Sequence, residues 1–309
     1  MEVKMKKIVL IFCLMYVSEV YADIVASGNN CGANCSWEID DKGKMRVYGT
    51  GNMYTYKHTT DANEYGDHYS NRPWWPYQAL VTEIEIEDGI TSVGGNAFIN
   101  FQNLQNAKIS DDVTRIFGGA FQSCKNLSSV RMPQYLTYIG GQAFENTNLT
   151  EIELSDTLQR ILNNAFGDTE ISDLVLPGSV SELDSTAFIS KGGKQTNLAT
   201  LYCTAEQKDK CLSAIEGSKL NIDVTLYEKT GEGLMVYDKQ GNIVGKYTNA
   251  ETLSKGIPVE TYTYDNAGHM VGKFDSHGQR IWGKKIYTVE EAMEATKNGD
   301  KFHVRLTYK

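Results

Sequence analysis

The dipeptide Ala-Phe recurs five times, at Ala97-Phe98, Ala120-Phe121, Ala143-Phe144, Ala165-Phe166 and Ala187-Phe188, always 22 or 23 residues apart. Apolar positions keep step with it. The first unit carries Ile84, Ile86, Ile90, Val93 and Phe98, the second Ala107, Ile109, Val113, Ile116 and Phe121. The next three read Val130, Met132, Leu136, Ile139, Phe144, then Ile152, Leu154, Leu158, Ile161, Phe166, then Leu174, Leu176, Val180, Leu183, Phe188. A unit of this size cannot bury its own apolar face. Stacking neighbours makes the core continuous, and both ends of the stack need caps.

Within a unit the Ile-x-Ile segment alternates at period two, so Ile84 and Ile86 point inward while Glu83, Glu85 and Glu87 point out, as on one short strand. The Ala-Phe segment is expected to form a short turn of helix, with Phe as the anchor and Ala allowing close stacking. Phe98, Phe121, Phe144, Phe166 and Phe188 should then form a buried ladder, and Cys124 a buried structural thiol. Period and spacing together mark a leucine-rich-repeat solenoid, with a short strand plus a turn or short helix per unit.

The third unit, with Leu127, Val130, Met132, Pro133, Leu136, Ile139, Ala143 and Phe144, resembles the BspA-like leucine-rich repeats; Asn146-Thr147-Asn148-Leu149 stands where that family often has a Cys. The resemblance covers about residues 81–203. Upstream, Cys31, Trp37, residues 47–53 and Pro73-Trp74 look like the β-strand cap that often precedes such repeats, interrupted by a polar insertion at 57–72. The resemblance implies an extracellular or surface location and, as in several members, an adhesive or host-binding role. It implies no shared ligand.

Lys4, Lys6 and Lys7 precede an apolar run from Ile8 to Val17 and then Val20-Tyr21-Ala22, the three parts of an export signal. The run is short for a permanent span, which needs ~20 residues, so no membrane span is expected once residues 1–22 are removed. Removal takes three Lys and two Glu and leaves 27 basic and 37 acidic residues. That sign argues against nucleic acid. In an exported protein Cys31 with Cys35, and Cys203 with Cys211, are the natural disulfide pairs, with Cys124 left free. A zinc site at Cys31 and Cys35 lacks a second ligand pair.

Four segments follow: a leader at 1–22, an N-terminal β cap at 23–80, the repeats with their C-terminal cap at 81–226, and a small β-rich module at 227–309. Residues from Leu198 to Leu226 should close the stack, with Lys210 and Cys211 on a short helix. In the module, Asp238 to Gly241, Asp265 to Gly268 and Asp275 to Gly278 read as hairpin turns, in which Asp bonds its own backbone and Gly supplies positive φ. They resemble YD-type repeats. Thr288 to Thr296 reads as a short helix and Phe302 to Tyr308 as a closing strand.

No catalytic motif is present, neither Gly-x-Ser-x-Gly nor His-Glu-x-x-His nor a phosphate-cradling Gly-rich loop, and no enzyme activity or cofactor is expected. His58, Asp61, Glu64, Asp67 and His68 have the atoms for a metal, but their loop context favours solvated charge. Trp74 should pack into the cap, leaving Trp75 as the exposed aromatic. The outward strand positions align in columns: Glu85, Lys108, Arg131, Glu153, Val175 and Tyr202, and then Ser92, Arg115, Tyr138, Arg160 and Glu182. Arg and Tyr supply most binding energy on flat surfaces. Lys108, Arg115, Arg131, Tyr138, Arg160 and Tyr202 are therefore the candidate ligand residues, with Arg115, Arg131, Tyr138 and Arg160 expected to form one basic and aromatic strip. The expected function is recognition of an extracellular protein or glycan by a secreted or surface-held chain. The alternative is a structural envelope component attached through the C-terminal module.

Overall fold

A computed structural model describes residues 22–56, 72–189, 197–218, 222–264 and 270–283. The alternation read from the sequence is realised in strand pairs that begin at the N-terminal cap. Strands β1 (Ile24–Asp40) and β2 (Lys44–Met53) pair antiparallel, with Trp37 opposite Val47. The Asp41 N–H donates to the Asp23 carbonyl, 2.8 Å, so the two ends of β1 lie side by side and the chain reverses inside it. The Cys31–Cys35 disulfide closes that reversal.

Strand β2 is the template for the repeats. Its first half pairs in parallel with β3 (Glu83–Ile86) and its second half with β4 (Ile90–Val93). Two parallel ladders grow from this fork. One continues through β5 (Asn106–Ile109) and β7 (Ser129–Arg131); the other through β6 (Arg115–Ile116), β8 (Tyr138–Ile139), β9 (Arg160–Ile161) and β11 (Glu182–Leu183). Ile84, Ile86, Ile90 and Val93 are all buried, as the alternation requires.

The Ala-Phe segments form turns, not the expected helix. In the first four units a residue just before Ala and another two after Phe adopt positive φ: Asn96 and Asn100, Gly119 and Ser123, Gln142 and Asn146, Asn164 and Asp168. Left-handed residues cannot propagate a right-handed helix, and Asn, Asp and Gly tolerate that region best. The arrangement aims amides along the stack. Phe98 N–H donates to the Ala120 carbonyl at 2.8 Å, Phe121 to Ala143 at 2.8 Å, Phe144 to Ala165 at 2.9 Å and Phe166 to Ala187 at 2.9 Å. The turns approach so closely that a Cβ on Gly140 would stand 2.4 Å from the Gly118 backbone nitrogen.

Beneath these bonds the phenylalanine ladder is continuous. Ring centroids lie 5.3 Å apart from Phe98 to Phe121, 5.5 Å to Phe144, 5.8 Å to Phe166 and 6.5 Å to Phe188, each pair stacked. Trp74 is buried and extends the stack, its ring 5.6 Å from Phe98 and its Nε1 donating to the Ala97 carbonyl. Cys124 is buried as expected, its thiol on the Phe98 carbonyl at 3.0 Å, and burial pushes its pKa up to about 12.

The fourth unit departs from the others. Ile152 and Leu154 sit in no strand, so the β2-β3-β5-β7 ladder stops at β7. Side-chain hydroxyls replace ladder bonds here: Ser155 Oγ donates to the Gln134 carbonyl, and Thr157 Oγ1 to Leu136 at 2.9 Å. Ser and Thr compete with regular backbone pairing in this way. Pairing resumes at β10 (Asp173–Val175), which joins β12 (Thr200–Cys203) and then β13 (Asp223–Thr230) in parallel.

Helix α1 (Lys208–Ser218) covers the end of the stack and is tied to β12 by the Cys203–Cys211 disulfide. Just before it, Gln207 Nε2 donates to the carbonyls of Pro177 and Val180, and Lys210 Nζ also reaches Val180, satisfying acceptors the last unit leaves open. The sheet then continues without a break. Strands β14 (Gly233–Tyr237), β15 (Ile243–Tyr247), β16 (Glu260–Tyr264), β17 (Met270–Asp275) and β18 (Arg280–Gly283) follow β13 as an antiparallel meander, with α2 (Ala250–Ser254) packed beside it. The boundary expected at residues 226 and 227 therefore falls inside β13. Asp238 and Asp275 each accept backbone N–H bonds two and four residues on, with Gly241 and Gly278 at positive φ, closing hairpins as read from the sequence. The leader at 1–21, the polar cluster from His58 to His68, the middle turn at 265–268, the helix at 288–296 and the strand at 302–308 lie outside the described residues.

Replacing Phe144 by Ala removes a ring stacked on both sides and should cost ~3–5 kcal/mol. Phe188→Ala, at the end of the stack, should cost less. Urea unfolding of the two variants against the parent checks this, and equal losses would contradict a nearest-neighbour stack.

Candidate binding surface

The two ladders present two different outer columns. On the first, Arg46, Glu85, Lys108 and Arg131 stand in register on β2, β3, β5 and β7. Alternating charge neutralises this column. Arg46 bonds Glu38 and Glu87, each at 2.6 Å; Glu85 takes Lys44 at 2.6 Å and Lys108 at 2.7 Å. Arg131 bonds Asp111 at 2.8 Å and donates to the Ile109 carbonyl at 2.7 Å. The ammoniums of Lys108 and Lys44 bonded to Glu85 hold its carboxyl down at about 2, against an ordinary 4.5.

On the second ladder Ser92, Arg115, Tyr138, Arg160 and Glu182 are in register on β4, β6, β8, β9 and β11. Ser92 is buried, and the column opens to solvent from Arg115 onward. The Arg160 guanidinium lies 5.3 Å from the Tyr138 ring centre and bonds Glu182 at 2.5 Å. Phe117 sits 5.8 Å from Tyr138 on the other side. Arg115 is exposed and makes no ion pair among the described residues. The result is a row of one free guanidinium, two aromatic rings and a second guanidinium fixed by a carboxylate.

The single strip read from the sequence is thus two. Both columns have the same spacing along the chain, but a solenoid turn has two strand corners, and Arg131 and Lys108 stand on one while Arg115, Tyr138 and Arg160 stand on the other. Glu153 is exposed but in no strand, and Val175 is buried. Tyr202 is half-buried against Val175, Tyr227, Leu234 and Val236, away from both exposed columns, and burial pushes its hydroxyl up to about 12.

A groove missed by the sequence reading lies between the third and fourth units and the C-terminal strands. Its larger cavity, about 780 Å³, is bounded by Val130, Tyr135 and Glu153 on the repeats and by Lys229, Leu234 and Asn249 beyond them. Ion pairs from Lys229 to Asp156 and from Lys255 to Glu151, 3.2 Å, cross between the two parts. Nothing local marks this groove: Lys229 and Asp156, which meet across it, are 73 residues apart in the chain.

Elsewhere, Trp75 is half-buried with the Arg72 guanidinium 4.6 Å from its ring centre, so it does not offer a bare aromatic platform. Among the described residues no three His, Cys, Asp or Glu side chains are grouped to hold a metal, and no helix is long and apolar enough to cross a membrane.

Residues 77–192 match the BspA-type leucine-rich repeat region in six copies. A leucine-rich repeat protein from Eubacterium ventriosum has the same fold, with a TM-score of 0.50 and 23% identity over 69% of this chain and 49% of that one. The chain thus spans about half the length of that protein. A leucine-rich repeat protein of T. pallidum is similar at a TM-score of 0.37, with 21% identity over 54% of this chain and 67% of that one. A leucine rich cell surface protein from Faecalibacterium prausnitzii matches at 0.33, with 17% identity over 69% and 59%. No curated protein matches the chain.

Because its carboxyl is held below the ordinary range, Glu85 contributes stability that is present above pH 4.5 and lost as pH falls toward 2. Its partners are partly exposed, so Glu85→Gln should cost roughly 1 kcal/mol or less at neutral pH. Denaturant unfolding of parent and variant should converge near pH 2; a constant difference would place the effect in packing instead.

Proposed function

We propose that this chain, whose residues 77–192 are a BspA-type leucine-rich repeat region, is an exported, non-catalytic binding protein that recognises an extracellular protein or glycan through its second strand ladder. The observation that carries the reading is Arg115, exposed and without an ion pair among the described residues, beside the Tyr138 and Arg160 stack, on a chain whose other column is neutralised by its own carboxylates. A partner contacting the first column must break existing ion pairs, each worth ~0–1 kcal/mol, before gaining any. A partner meeting Arg115, Tyr138 and Arg160 finds donors and ring area already arranged. An anionic group, whether carboxylate or sulfate, suits the free guanidinium.

One feature favours a second reading, a spacer in the envelope: the sheet joins the repeats to the C-terminal strands with no linker. Retention of the chain at the envelope through residues 227–309, with no partner for the repeats, is the outcome that selects it.

The test is retention of residues 23–309 on immobilised extracellular-matrix proteins and glycans. The combined variant Arg115→Ala, Tyr138→Ala and Arg160→Ala should bind at least tenfold more weakly, ~1.4 kcal/mol or more, while unfolding at the same urea concentration as the parent. Unchanged binding overturns the assignment of the surface.

A further inference from the structure

The interruption at the fourth unit leaves two strand edges unpaired. In a parallel ladder the N–H and C=O of one residue face the same neighbour, and those of the next residue face the opposite one. On β7, the Ser129 N–H donates to Gln105, toward β5. The backbone groups of Val130 therefore face away from β5, where the fourth unit's strand belongs. Among the described residues no backbone hydrogen bond from 150–154 reaches β7 or β10. Ile152 and Leu154 still pack into the core there, but open space remains beside them. Val130 and Glu153 bound both the cavity of about 780 Å³ and a second one of about 270 Å³ beside it.

We infer that this groove docks an extended, lysine- or arginine-bearing peptide segment of a partner protein by strand addition to the free edge of β7. An unpaired strand edge is a template for another chain, and the larger cavity falls within the ~300–1,000 Å³ typical of binding sites. Charge selects the peptide. The two cavities are bounded by five carboxylates, Asp111, Glu151, Glu153, Asp156 and Glu251; Arg131 and Lys229 bond Asp111 and Asp156, and the single ammonium of Lys255 is shared by Glu151 and Glu251, so the acidic charge is in excess. Glu153 is exposed and has no ion pair among the described residues, so it is available to a cationic side chain. Tyr135, 55% exposed, adds ring area at the same site. A three-residue edge gives few hydrogen bonds, so side-chain charge carries the selectivity. This site is separate from the Arg115 face and does not rest on it.

The experiment titrates labelled nine-residue peptides, valine alternating with lysine, glutamate or serine, into the full chain, read by fluorescence anisotropy. A fourth peptide is the valine-lysine sequence N-methylated at every second residue, which keeps the charge and removes half the donors. The valine-lysine peptide should bind at least tenfold more tightly than the valine-glutamate peptide, and N-methylation should weaken it at least tenfold. Glu153→Lys should weaken it about fivefold, and the combined Arg115, Tyr138 and Arg160 variant should bind it as the parent does. Hydrogen exchange at Val130 should slow on saturation. Binding of the N-methylated peptide as tightly as its parent, indifference to Glu153→Lys, an unprotected Val130, or no binding by any peptide overturns the proposal. So does protection of residues 128–135 by a neutral oligosaccharide such as maltoheptaose when the peptides give none.

Discussion

Everything in the repeat region hangs on one contact repeated from unit to unit: a phenylalanine ring stacked on the next, with its own amide bonded to the following alanine carbonyl. The ring supplies apolar burial and the amide fixes the rise along the stack, so neither core nor backbone can shift without the other. Stacked rings about 5.3 to 6.5 Å apart require close turns. Close turns require the left-handed residues that flank the first four Ala-Phe segments and a glycine at the tightest approach. Trp74 shows the same constraint at the end of the stack, where an aromatic from the cap occupies the place of a preceding phenylalanine.

What was legible in the sequence was whatever repeats or is local. The period, the inward isoleucines, the phenylalanine ladder, both short-range disulfides and the Asp-to-Gly hairpins at 238–241 and 275–278 needed only spacing and residue type. The turn conformation was harder, because Ala-Phe with flanking Asn fits one turn of helix as readily as a left-handed bracket. Side-chain columns held from Glu85 to Arg131 and from Arg115 to Glu182, since register follows from the period, but Glu153 lies in no strand, Val175 and Ser92 are buried and Tyr202 packs elsewhere, and assigning Arg131 to the same surface as Arg115 required knowing how far the chain rotates between two strands of one unit. The fourth unit keeps every apolar position and still forms no strand in the first ladder, because Ser155 and Thr157 redirect local hydrogen bonding. The groove was invisible for a different reason: it depends on Lys229 meeting Asp156 across a long stretch of chain.

The two ladders also divide electrostatic labour. Glu85 sits between two lysines and stays ionised far below neutral pH, so the first ladder holds a fixed internal pattern of charge. The second ladder has fewer partners for its cations, and its aromatic rings orient them. On a chain with net negative charge, this leaves the exposed Arg115 of the second ladder without an ion pair among the described residues.

The continuous sheet from β10 to β18 has a consequence for orientation in space. Most modular proteins join their parts with a flexible tether, which lets a recognition surface sample many directions and lowers its effective concentration at any one of them. Here the last units of the stack hydrogen-bond directly into the C-terminal meander, so the connection behaves as a bracket. If the far end of that meander is held, the Arg115 face points in one fixed direction, and the recognition proposed for it would meet flat targets with little loss of rotational freedom.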